Sequence, residues 1–360
     1  MQHRPEAAAG HLAAAEALAT SPVEQGRVLR ARANYAWETG DLLAAQRYAE
    51  RARDMARGHG TPEDLAAAYE ALAIVSHLSG RWREGLESEL ERITADGAGS
   101  AQLARVFDIH CCIGQYHLYE DRLAGSVEDY ARRTLDRAEE AGAVRAQAFA
   151  WCLLGESLLL QARWEESMGC LERSCELHAA LSSRSGALAW QRRAELAVCR
   201  GAYQDAEAYL RRASADATVS AMASHLWGRI HATQTFAAVE QGDPQGAIRS
   251  VRAAAAAAAR YGDCPTCSAL LNPVAAEAFA LLADPDNART YAESAARVAE
   301  LINSSAWRAM DESAAGSLAV ADRDEQAARA HFEAARELYA RAGQPYWAQR
   351  SMRLASMMPA

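Results

Sequence analysis

The residues whose types most readily suggest chemistry lie at 262–273, in the stretch GDCPTCSALLNP. Cys264 and Cys267 stand at CxxC spacing with Pro265 beside the first. Two thiols at that spacing can form a dithiol–disulfide couple, supply half of a zinc site, or simply open a helix. As a helix entry, Asp263 is the expected N-cap, and proline is tolerated in a first turn. The thiols would then sit at a helix N-terminus, where the dipole favours thiolate. Zinc would need two further ligands, and there is no second CxxC and no histidine nearby in sequence. The helix entry is therefore the preferred reading. No cofactor is expected, and zinc on Cys264 and Cys267 is the minor alternative.

A second cluster, FDIHCCIGQYHLYED, places His110 and His117 beside Cys111 and Cys112. Zinc ligands on one helix normally stand three or four residues apart. A seven-residue step separates the rings by about 10 Å along the axis. Core or interface histidines explain the pair better. No GxSxG, HExxH, GxGxxG or phosphate loop occurs, and all 38 basic residues are arginine. With no lysine there is no Schiff-base or phosphate-loop lysine. Catalytic residues are not expected, and neither is an enzyme.

A net charge of −9 gives no electrostatic case for direct nucleic-acid binding. No run of 18 apolar residues is present, and the N-terminus lacks the basic-then-apolar order of a signal peptide. Eight cysteines in 360 residues read as reduced thiols, so a cytoplasmic location without membrane contact is expected.

These residues must be positioned by a scaffold, and the scaffold is written as a repeat. Turns fall at Gly40, Gly80, Asp121, Ala162, Gly201, Gly242, Ala283 and Arg323, at spacings of 40, 41, 41, 39, 41, 41 and 40. Five residues after each turn stands a small residue: Ala45, Gly85, Ser126, Ser167, Ala206, Ala247, Ala288 and Ala328. Small side chains at that recurring place let two helices approach closely. Alanine-, arginine- and glutamate-rich composition favours helix throughout. The expected fold is all-α, a solenoid of about eight helix pairs.

The segment WCLLGESLL puts Trp151, Leu154, Gly155 and Leu158 at the spacing W-x2-L-G-x2-hydrophobe. It resembles the first helix of a tetratricopeptide (TPR) repeat, with longer helices than the usual 34-residue unit. The forty-residue period in an Ala/Arg-rich chain is similar to the C-terminal superhelical region of large bacterial LuxR-type and antibiotic-regulatory, NTPase-containing transcriptional regulators. That resemblance implies one right-handed superhelical domain over 1–360. Within it, 1–22 would be a partial repeat or N-terminal cap helix, 27–343 eight helix pairs, and 346–357 a C-terminal cap helix. It also implies linked NTPase and DNA-binding domains outside this chain.

In TPR arrays the first helices line a concave groove. With the turn residue numbered 15, positions 2, 5, 9, 12 and 13 face it. Carried onto this chain, that frame selects Asp108, Cys111, Gln115 and Tyr119 in the third repeat, and Phe149, Cys152 and Glu156 in the fourth. It selects Gln191 and Glu195 in the fifth, and Arg229 and Phe236 in the sixth. Polar, thiol and aromatic groups on one face suit a small molecule, peptide or protein partner. A sensor or interaction module of a transcriptional regulator is the expected function. The alternatives are a stand-alone TPR scaffold, or a metal- or thiol-dependent protein using groove Cys and Glu residues.

Overall fold

A computed structural model describes residues 5–39, 41–79, 119, 123–181, 186–220 and 223–357. Among these the regular structure is helical, with no strand. The fold is an all-α, TPR-like array of helix pairs. No helix among the described residues is long and apolar enough to cross a membrane. The chain divides into two compact units, Met1–Ile113 with Glu140–Ala146, and Gly114–Glu139 with Gln147–Ala360.

The first unit holds α1 (Pro5–Leu18), α2 (Pro22–Glu38), α3 (Leu42–His59) and α4 (Pro62–Ser79). Its core is mostly alanine, with Ala45, Ala49 and Ala52 of α3 fully buried. Alanine at those places brings α2 and α3 close together. A bidentate pair ties α2 to α4: Arg27 Nε and Nη2 donate to the two Asp64 carboxylate oxygens at 2.7 and 3.1 Å. Asp64 also accepts from the Thr61 backbone N–H, while the Thr61 hydroxyl accepts from the Asp64 N–H. That reciprocal cap starts α4.

Helices α5 (Leu123–Glu140) and α6 (Val144–Leu160) come next. The second unit continues with α7 (Trp164–Ala180), α8 (Ala187–Cys199), α9 (Tyr203–Ala217), α10 (Ala223–Glu240) and α11 (Pro244–Tyr261). The seventh pair begins in two pieces, α12 (Pro265–Ala269) and α13 (Leu271–Ala280), followed by α14 (Pro285–Ile302). Helices α15 (Ser305–Ala321), α16 (Glu325–Arg341) and α17 (Pro345–Ser356) complete it.

The turns inside the pairs share one mechanism. Ala162, Gly201, Gly242, Ala283 and Arg323 all lie at positive φ, between 53° and 73°. At each, the next residue's N–H reaches back five residues to a helix carbonyl, as from Asp243 to Ala238 and Asp284 to Phe279. The turn residue itself bonds back three residues, as from Gly242 to Val239. This is the Schellman termination, which leaves the chain reversed with its last carbonyls satisfied. The residue after the turn opens the second helix, and Asp41, Asp243, Asp284 and Asp324 cap theirs through a side-chain oxygen. Each such cap contributes about 1 kcal/mol.

The small residues five past the turn are buried: Ser167, Ala206, Ala247, Ala288 and Ala328 are at most 1% exposed. Glycine plays the matching part on the first helices. A Cβ on Gly155 would lie 2.6 Å from Leu171 Cγ, and one on Gly316 would lie 2.7 Å from Phe332. Successive first helices α8, α10, α13 and α15 also touch one another, so one continuous layer runs across four pairs.

At the CxxC segment the structure corrects the expected helix start. Cys264, not Asp263, occupies the N-cap position of α12, and its side chain makes no capping bond. Asp263 accepts instead from the Ser268 hydroxyl. Helix α12 stops after five residues and α13 begins past Leu270. Pro273 explains the break: it has no N–H to give the Ala269 carbonyl, and its ring crowds that oxygen.

Candidate functional site

The layer of first helices in the second unit encloses one prominent cavity, with about 750 Å³ of empty space that opens to solvent. Its walls come from α8, α10, α13, α15 and α17, with Tyr119, Tyr339 and Gln344 from the connecting segments and α16. An apolar wall is formed by Phe236, Leu270, Met310 and Trp347. The Phe236 and Trp347 rings stand 4.9 Å apart.

Two buried charge clusters flank this wall. In the first, Arg192 Nε donates to Glu156 Oε1 at 2.6 Å and Nη1 donates to Glu195 Oε2 at 2.5 Å. Its Nη2 donates to the Tyr119 hydroxyl at 3.1 Å. Gln191 Nε2 bridges to Glu195 Oε2 and to the Thr233 hydroxyl, at 3.1 and 2.8 Å. Burial works against the Arg192 charge, but Glu195, Tyr119 and Glu156 outweigh it and raise its pKa well above the ordinary value.

In the second cluster, Arg350 of α17 donates from Nε to Glu240 Oε1 at 2.7 Å and from Nη2 to Glu277 Oε1 at 2.8 Å. Burial opposes its charge too, and the Glu277 and Glu240 carboxylates override that and push its pKa up. The pairs tie α17 to α10 and α13, with Arg350 also lying over the Phe236 ring at 5.5 Å. Burial, the largest cause, with Tyr119 and Glu277 acting the same way, pushes the Tyr339 hydroxyl up to about 12, so it stays protonated.

Arg229 differs from both. It lines the cavity and is only 4% exposed, yet its Nη1 has no hydrogen-bond partner. Gln191 Oε1 and Gln344 Oε1, in the same lining, are also buried without a partner. Burial works against the Arg229 charge, but Cys267, Tyr119 and Glu156 outweigh it and raise its pKa above the ordinary value, while one donor, Nη1, is left without a partner.

Of the residues selected from the repeat frame, Tyr119, Gln191, Glu195, Arg229 and Phe236 come together around this cavity. Glu156 lies behind it as a partner of Arg192. Phe149 packs edge-on against His178, with centroids 5.4 Å apart, and Cys152 is buried in α6 outside the lining. Asp108, Cys111 and Gln115, with His110, Cys112 and His117, lie outside the described residues.

Sequence reasoning missed Glu277, Met310, Ser313, Trp347 and Arg350, all in the lining. The signal was present. Continuing the same frame to the turns at Ala283 and Arg323 selects Leu270, Pro273 and Glu277, then Met310 and Ser313. One further forty-residue step reaches Arg350. A histidine near the CxxC was also missed: His225 lies 42 residues upstream, and its Nδ1 is 3.7 Å from Cys267 Sγ.

No family model matches the chain, and no curated protein does. Solved structures with similar folds include a tetratricopeptide repeat protein from Parabacteroides merdae, at 10% identity and TM-score 0.39, covering 92% of this chain and 99% of that one. A Rap protein complexed with Competence and Sporulation Factor matches at 14% identity and TM-score 0.48, covering 99% of each chain. The P58(IPK) TPR domain matches at 12% identity and TM-score 0.24, covering 98% of this chain and 95% of that one. At such identities and scores these likenesses carry no weight for function.

Proposed function

We propose that the second unit is a ligand-receiving sensor module whose cavity takes a small organic anion with an apolar or aromatic body. The observation that carries this reading is Arg229, a buried cation in the cavity lining with an unpartnered Nη1. Arg192 and Arg350, by contrast, each lie between two carboxylates. A ligand carboxylate or comparable anion on Arg229 would supply the missing acceptor in a low-dielectric place, where such a bond is strong. The Gln191 and Gln344 carbonyls, also without partners, would be the acceptors for a donor on such a ligand. Phe236 and Trp347 would cover its apolar body.

The cavity opens to solvent, which gives a ligand a way in. Its wall includes α17, so a bound ligand would bridge that last helix to α8 and α10. This offers a way to pass occupancy onward. By its resemblance to the superhelical regions of bacterial regulators, such a signal would reach a partner, or linked NTPase and DNA-binding domains. A stand-alone scaffold would show no dependence on a small ligand. A thermal-shift screen of aryl-alkyl carboxylates beside their neutral amides tests the reading. Stabilisation by the acids and not the amides is expected; equal response, or none across the acids, contradicts it.

A further inference from the structure

His225, Cys264 and Cys267 form a cluster that none of the preceding chemistry uses. His225 stands in the first turn of α10, Cys264 at the N-cap of α12, and Cys267 three residues on. The fold brings them together through a glycine. Gly228, three residues past His225, lies so close to α12 that a Cβ there would be 2.9 Å from Ser268 Cα and 2.6 Å from its Oγ.

The donor atoms of the three residues all lie within 4.8 Å of one another, and Cys267 Sγ is 3.7 Å from His225 Nδ1. In a tetrahedral zinc site, with Zn–S about 2.3 Å and Zn–N about 2.0 Å, donors stand roughly 3.5–3.8 Å apart. One pair already has that spacing, and the others need to close by about 1.3 Å at most, within reach of a small side-chain rotation. Two sulfurs and an imidazole select zinc-like ions over calcium or magnesium. Cys264 and Cys267 are buried, whereas His225 is partly exposed, so an ion has a way in on the histidine side.

We propose that His225 Nδ1, Cys264 Sγ and Cys267 Sγ bind one zinc-like divalent ion, with the fourth position left to water or an external donor. Three protein ligands and one open position is a recurrent zinc arrangement.

The test uses the untagged full chain, prepared under reducing conditions and titrated with cobalt(II). One equivalent should bind, giving a thiolate charge-transfer band and the visible bands of tetrahedral cobalt, and zinc should displace it. Cys264→Ser and Cys267→Ser should each weaken the charge-transfer band. His225→Gln, at the partly exposed position and so least disturbing to the fold, should lower affinity roughly tenfold or more, at least what loss of a supporting partner costs. Gly228→Ala should also weaken binding by pushing α12 away. Absence of a cobalt band with both thiols reduced overturns the site, as does a band unchanged in His225→Gln. A Cys264–Cys267 disulfide in the isolated protein, with no cobalt band after its reduction, overturns it in favour of a redox pair.

Discussion

Arg192 and Glu156, 36 residues apart on α8 and α6, meet at 2.6 Å with each side chain only 1% exposed. A pair so fully buried holds two charges out of water, and each is tolerable only because of the other. Arg192→Met would leave Glu156 and Glu195 without their shared cation. A loss of about 3–5 kcal/mol is expected. Adding Glu156→Leu should recover part of that loss, because two apolar residues need no counter-charge. Urea unfolding of both single variants and the double variant measures the coupling, and simple additivity would count against the pair.

The repeat could be read from the chain because its determinants are local. A left-handed turn residue and a small residue five positions later both leave marks at fixed spacing, as at Gly242 and Ala247. The cavity was legible only in part. Gln191, Glu195, Arg229 and Phe236 follow from the frame, but the meeting of Arg350 with Glu240 spans 110 residues. That meeting depends on how α17 packs onto α10 and α13, which no local pattern encodes. His225 escaped for the same reason. Its distance from the CxxC is set by the Gly228–Ser268 contact between helices.

Three of the reversing turns place a non-glycine residue in the left-handed region: Ala162, Ala283 and Arg323. An L-residue there costs about 1–2 kcal/mol, partly offset by the extra freedom glycine would have in the unfolded chain. Ala162→Gly and Ala283→Gly should each stabilise the protein by up to about 1 kcal/mol. Gly242→Ala should destabilise it by about 1 kcal/mol. Thermal melts of the three variants check the opposite signs, and a loss of stability in both alanine-to-glycine variants would contradict the turn analysis.

Asp64 makes the first unit sensitive to acid. Its carboxyl is held down to about 2, first by the Arg27 hydrogen bonds and then by Thr61. A folded value below the unfolded one means that the pairing stabilises fully above the ordinary 3.8 and is lost as pH falls through about 2. Asp64→Asn should therefore lower the melting temperature near neutral pH. The gap between variant and parent should shrink as pH drops from about 4 toward 2. A gap that stays constant over that interval would show that Asp64 acts through something other than its charge.

Arg229 is the residue on which the sensor reading stands. The direct measurement is calorimetric titration of the full chain with 3-phenylpropionate and its amide, repeated on Arg229→Gln. Arg249→Gln, at an exposed position on α11, serves as the control. The parent and the control should bind the acid and discriminate against the amide. Arg229→Gln should lose roughly tenfold or more in affinity for the acid alone, the loss of about 1.4 kcal/mol expected when one charge-assisted bond is removed. Acid binding that is unchanged in Arg229→Gln, or no preference for acid over amide in the parent, would contradict the account.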